Sequence, residues 1–294
     1  KSFHFDAILA NEWDSLPIAM SIKMYSNCPI IFDAHEDTIG QHRSTGFLKR
    51  WLLIPAIQFL IKKSAPLIAA STTVEESIAD KLRQKFDLNP IVVLNVPEFQ
   101  EITHHNLDPT KIRLMHHGIA QRNRYLEGMI QTLALCDSRY ELYFMLVEHD
   151  EGYVRELKRL VSKLAPDRVH FIAPVLPEKI VQNISKFDIG FYILRPINES
   201  YLNALPNKFF DFIIAGLAVC IGPSPAMANI TRKYKFGCIA PTFDPRDVAD
   251  LLNKTSVEEW ESMRQRAREA AKEFNAENEM SKLLTIINKC LNEN

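Results

Sequence analysis

Lys208 and Asp211 stand three residues apart behind Pro206 and Asn207, in the stretch NALPNKFFDFIIAGLAVCIG, 203–222. Residues spaced this way share a helix face, so an ammonium and a carboxylate would be presented together near a helix start. Pro206 suits a first helical position, whose N–H has no intrahelical use. Gly216 suits the left-handed residue that ends a helix. A helix start with free N–H groups and a nearby cation can hold a phosphate. An ordinary amphipathic helix with a snorkelling lysine fits the same letters.

Other side chains could join such a site. Arg122 and Arg124 follow a strand that ends at Gly118, where a cation could also reach a phosphate held at that helix start; two solvated arginines on a turn are the alternative. His35 directly follows the apolar run PIIFD, at the carboxyl end where open α/β sheets place ligands. Asp33, His35, Glu36 and Asp37 all carry metal-ligating atoms, but neighbours on a strand point to opposite faces and few could converge. The pairs His104/His105 and His116/His117 fail as metal sites for the same reason and are expected at the surface or on strands. No Ser/His/Asp or Cys/His set can be placed by spacing, and there is no Asp-x-Asp. The five cysteines, at 28, 136, 220, 238 and 290, form no CxxC, which points to a reducing compartment and away from zinc.

The elements that must position these groups alternate along the chain. Apolar runs at 5–10, 29–34, 65–71, 90–95, 111–118, 141–147, 169–174, 187–194, 217–222 and 236–241 read as strands buried on both faces of a parallel sheet. Helical patterns lie between them, among them TTVEESIADKLRQKF, whose Thr72 and Glu75 have capping-box spacing. This is an α/β, doubly wound pattern. A length of 294 residues favours two domains. The polar segment around 98–110 is the expected linker between a first domain, 1–97, and a second, 111–274; residues 275–294 form one amphipathic helix, expected to pack back on the first domain. No Gly-rich turn follows the first strand, so the first domain reads as incomplete at its N-terminus.

A net charge of −1 gives no electrostatic case for nucleic acid. No secretory signal pattern is visible, and no apolar run has the roughly 20 residues that a spanning helix needs. The stretch FLKRWLLIPAIQFLIKK, 47–63, has basic ends, a tryptophan and an apolar middle. It can lie on an anionic membrane surface or serve as a core helix with charged ends.

Taken in order, several segments resemble one family. FDAILANEWDSLPIAM, CPIIFDAHED, APLIAAS, VVLNVPEF, HHGIAQRNRYLEGMI and LPNKFFDFIIAGLAVC are similar to successive motifs of the retaining GT-B-fold glycosyltransferases of family 4, of the bacterial surface-polysaccharide subgroup. The resemblance implies two Rossmann-like domains facing a cleft, and transfer of a sugar from a nucleotide-diphosphate sugar to a glycan, lipid-linked or other acceptor. It places the donor diphosphate on the backbone of Leu205, Pro206 and Asn207 and on Lys208, with the ribose on Asp211. Gly118, Arg122, Arg124, Val175 and Asn203 complete the donor side, Arg124 aligning best with the family's basic residue. Asn11, Asp14 and His35 fall on the acceptor side, and the family's His at the His35 element also touches the donor sugar or leaving phosphate. His35, Arg124 and Lys208 are thus the expected catalytic set, with no cofactor and no metal.

The pattern also departs from the family. Asn203 stands for the first glutamate of its acidic pair, Asp211 shortens the second, and EHD, 148–150, replaces a Gly-x-Gly. A GT-B sugar-nucleotide epimerase and a non-catalytic sugar-nucleotide or membrane-associated module are the rival readings. A cytoplasmic place, peripheral at the inner face of the plasma membrane, follows from the resemblance and the 47–63 stretch.

Overall fold

A computed structural model describes residues 5–35, 47–197 and 199–292. The chain divides into two compact units, one of residues 1–95, 198–200 and 276–294, the other of 96–197 and 201–275.

The first unit holds a parallel sheet of β1 (Ile8–Asn11), β2 (Ile30–Ala34), β3 (Ile68–Thr73) and β4 (Ile91–Val92), in that spatial order. Alternation along β2 divides its side chains between two layers. Ile30 and Phe32 join Ala10, Leu16, Ile57 and Ile61, the last three from helices Leu16–Ser26 and Phe47–Ser64 on one face. Ile31 instead packs with Ile286 and Cys290 of the helix Ala276–Asn292. A strand covered on both sides has little room for polar residues, and its apolar run follows from that.

One local expectation is overturned here. Thr72 and Thr73 do not start a helix; they complete β3, and the helix runs Glu76–Phe86 with Glu75 as its N-cap. Strand pairing outweighs the capping signal: Thr72 and Thr73 pair with Ile91 and Val92, and the Thr72 hydroxyl donates to Asp33 Oδ1 at 2.7 Å. β-branched residues suit that buried, pleated position, where the Thr73 hydroxyl also finds an acceptor in the Ala34 carbonyl at 2.7 Å.

The second unit holds six parallel strands, β5 (Ile112–Ala120), β6 (Tyr140–Glu148), β7 (Val169–Ile172), β8 (Ile189–Tyr192), β9 (Ala218–Ile221) and β10 (Gly237–Ile239). Their order is β10-β9-β8-β5-β6-β7. This is a doubly wound arrangement whose strand order reverses between β5 and β8, the place where such sheets bind ligands beyond their carboxyl ends. The segment before β5 is held from below. Buried Asp188 accepts from the Arg113 backbone N–H at 2.8 Å, from Arg113 Nε at 3.0 Å, and lies 2.8 Å from His105 Nε2. His105 is therefore neither a free surface residue nor a strand position; it anchors the chain to the sheet floor.

Candidate functional site

β5 and β8 pair only through Leu114 with Ile189 and Met115 with Gly190. Beyond these residues the switch point is lined by His116, His117 and Gly118 from β5 and by Tyr192 from the end of β8. His116 is fully buried; its Nδ1 lies 3.0 Å from the Phe191 carbonyl, which can only accept, so the proton sits on Nδ1. Its ring stacks on Tyr192, centroids 5.6 Å apart. Burial, with the Lys208 ammonium nearby, presses its pKa well below the ordinary histidine value and keeps it neutral.

The helix Asn207–Ile214 starts above this floor. Pro206 is its N-cap rather than its first residue, with extended φ −73° and ψ 145°. The physical reason is that proline's fixed φ serves both positions, and here its ψ is extended. Pro206 offers no capping side chain, so the first-turn N–H groups of Asn207 and Lys208 keep their donor capacity. Phe209, Phe210, Phe212, Ile213 and Ile214 are buried, which leaves Lys208 and Asp211 on the remaining face. Gly216, at φ +71°, ends the helix as its sequence position predicts.

The half-buried Lys208 side chain reaches back over β5. A Cβ at Gly118 would sit 2.7 Å from Lys208 Nζ, and Gly118 has φ +124°, so both the backbone and the lysine require glycine there. Lys208 Nζ also lies 4.8 Å from the Tyr192 ring centroid. Burial first, and then the Arg124 guanidinium, lower the Lys208 pKa to about 7, with Asp211 opposing. Arg124 itself lies over Tyr201, 5.4 Å from its centroid, and its charge tempers the upward push that burial gives the Tyr192 phenol. Among the described residues neither Lys208 nor Arg124 forms an ion pair. Two cations at one spot, with backbone donors beside them, present the charge and the N–H groups that an anion would need.

The predicted donor residues divide. Gly118, Arg124, Lys208 and Asp211 converge on the switch point. Asn203, Leu205, Pro206 and Asn207 form the turn and helix start beside it, and Val175 is half-buried in the loop after β7. Arg122 is engaged elsewhere: it pairs bidentately with Glu156, at 2.6 and 2.8 Å, and lies over the Tyr153 ring. In the first unit, Asn11 ends β1 opposite Asp33, and exposed Asp14 lies in the short helical turn Trp13–Ser15. His35 follows β2 with its Nε2 2.8 Å from Asp33 Oδ2. Glu36 and Asp37, of the metal reading, lie outside the described residues.

Sequence reasoning missed His116, His117 and Tyr192 as parts of this site. The available signal was the pair of histidines immediately before Gly118, tested only as metal ligands.

No protein-family model and no curated protein sequence matches the chain. Solved structures do match. HepE from Anabaena, in complex with UDP, gives a TM-score of 0.70 at 12% identity, over 97% of this chain and 77% of its own. Sucrose-phosphate synthase from Thermosynechococcus elongatus gives 0.74 at 12% identity, over 99% of this chain and 75% of its own. TarM from S. aureus, in complex with fondaparinux, alpha-GlcNAc-glycerol and UDP, gives 0.66 at 13% identity, over 92% of this chain and 54% of its own. At these identities the likeness is one of fold, and the fold is the α/β GT-B fold, built from Rossmann-like units.

Proposed function

We propose that this protein is a glycosyltransferase that moves a sugar from a nucleotide-diphosphate sugar to a glycan, lipid-linked or other hydroxyl acceptor, with retention, as in family 4. The observation that carries the reading is Lys208 Nζ lying against Gly118 at the β5/β8 switch point, beside Arg124 and above Asp211. Neighbours of the same fold have been solved with UDP and UDP-glucose, which supports a nucleotide-sugar ligand.

In the proposed reaction Lys208, Arg124 and the N–H groups of the helix start receive the donor diphosphate and stabilise its charge as it leaves. Asp211 takes the ribose hydroxyls. A donor phosphate oxygen assists the acceptor hydroxyl on the face from which the diphosphate departs, so the protein supplies alignment more than a nucleophile. Asn11, Asp14 and His35 serve the acceptor side, and His35 also meets the transferred sugar. The two cations do the electrostatic work that a metal would otherwise do, and no metal is required in this reading.

Incubation with UDP-, GDP- and ADP-sugars, with and without lipid-linked and glycan acceptors, tests it. Acceptor-dependent transfer supports the reading. Epimerised donor, or binding with no turnover, would replace it with one of its two rivals.

A peripheral membrane contact on the cytoplasmic side belongs to the same proposal. On the helix Phe47–Ser64, Trp51, Leu52, Pro55, Ala56 and Phe59 form one exposed stripe that runs on to Lys62 and Lys63. No helix among the described residues is long and apolar enough to cross a membrane. Such a stripe suits shallow insertion with lysines at the headgroups. Binding to phosphatidylglycerol vesicles should blue-shift Trp51 fluorescence and weaken with salt and in Lys62→Glu/Lys63→Glu. Equal binding by that variant would refute it.

A further inference from the structure

His117 belongs to no role described so far, although it is nearly enclosed. Its side chain is 5% exposed against 14% for the Asp211 carboxylate, and its Nε2 lies 3.3 Å from Asp211 Oδ2. The ring meets Phe212 edge-on, with centroids 5.3 Å apart and planes at 81°. It is carried on β5, while Asp211 is carried on the helix Asn207–Ile214. Among the described residues Nε2 has no hydrogen-bond partner of good geometry, the Asp211 oxygen being near but misaligned. A buried imidazole nitrogen left this way is unfavourable, and a small movement of the carboxylate removes the penalty.

We propose that His117 is a positioning residue: its Nε2–H receives one oxygen of Asp211 and thereby aims the carboxylate at the two hydroxyls of a ribose. The inference rests on the reading of Asp211 as the ribose ligand. The direction of the bond follows from the charges. Burial lowers the His117 pKa while Asp211 raises it, so at neutral pH the ring is neutral and can donate from Nε2 to a carboxylate, which can only accept. The strand and Phe212 fix the ring, so the carboxylate moves to it. A carboxylate tied at one oxygen loses rotamer freedom before the ligand arrives, so less is lost on binding. Lys208 does not compete for this place, since its ammonium lies against Gly118 and Tyr192. Hydrogen bonds of this kind are commonly long without ligand and tighten with it.

The test measures binding of UDP, GDP and ADP, each against its 2′-deoxy form, to the whole protein by titration calorimetry. Wild type should prefer the ribose form of the nucleotide that binds. His117→Leu should lose most of that preference, roughly tenfold, with binding of the deoxy form unchanged; His117→Gln, which restores an N–H donor at similar reach, should recover it. The His117 ring titration, followed by NMR, should move to lower pH in Asp211→Asn. If Asp211→Asn abolishes the ribose preference and His117→Leu keeps it, the positioning role is overturned and the ribose reading stands. If Asp211→Asn keeps the preference, or none of the three nucleotides binds, both fall. Loss of preference in His117→Gln as well as His117→Leu would show that packing alone is at work, and would also overturn the proposal.

Discussion

Lys208 should make nucleotide-sugar affinity fall as pH rises above neutrality. Burial and the Arg124 guanidinium hold its pKa near about 7, and a bound diphosphate would return it toward the ordinary lysine value of roughly 10.4. A group whose pKa rises on binding takes up a proton there, so affinity is fully present below the free-state pKa and is lost as pH passes through it. With one such group the apparent Kd doubles at about pH 7, rises about tenfold by pH 8 and about a hundredfold by pH 9. The neighbours do not confuse this window. His116 and His117 are pushed downward, and the Tyr192 phenol is pushed up to about 12. The ligand must be a nucleotide sugar, because the free terminal phosphate of a nucleoside diphosphate titrates near about pH 6 itself. Titration calorimetry in buffers of different ionisation enthalpy would count the proton taken up. Lys208→Met should bind weakly at every pH with a flat profile and lose roughly 100-fold in turnover. A flat wild-type profile between pH 6 and 9, or a slope that survives in Lys208→Met, would refute the reasoning.

Arg124→Ala should cost on the order of 100-fold in turnover, while Arg122→Ala, whose guanidinium is committed to Glu156, should stay within about threefold of wild type; equal losses would show that both arginines serve the donor. Gly118→Ala should be destabilised by about 1 kcal/mol for its left-handed backbone, and should lose nucleotide binding as well, because its Cβ displaces the Lys208 ammonium; a stability loss without a binding loss in calorimetry would separate Lys208 from the ligand. Transfer should persist in EDTA, since Lys208 and Arg124 carry the charge stabilisation in the proposal; activity restored only by added divalent cation would contradict it.

What could be read from the sequence is what neighbouring residues decide among themselves. The run AVCI on β9 is apolar and buried throughout because both faces of the second sheet are covered. Gly216 marks its helix end to the residue, and Pro206 marks the start to within one. Thr72 and Glu75 show the limit of local signals, since strand partners at Ile91 and Val92 claim the threonines. Arg122 and Arg124 look alike in the sequence, and only folding brings Glu156 to one and Tyr201 to the other. His116 and His117 read as a pair in the sequence, whereas each faces a different element, His116 the Phe191 carbonyl on β8 and His117 the Asp211 carboxylate on the helix Asn207–Ile214.

The buried charge is the feature that neither propensity nor packing explains. Enclosing an ammonium beside a guanidinium disfavours its charged form, and an apolar residue of similar length at 208 would avoid that penalty. Gly118 compounds it, because a left-handed glycine in a buried strand also costs conformational entropy. The two costs meet at one point, with Lys208 Nζ against the face that a Cβ of Gly118 would fill. Perturbed groups of this kind concentrate where a ligand supplies the missing counter-charge. The carboxylate of Asp211 alone does not supply it, since the Lys208 pKa stays low in its presence. A ligand bearing more than one negative charge would supply that counter-charge, and a diphosphate has it.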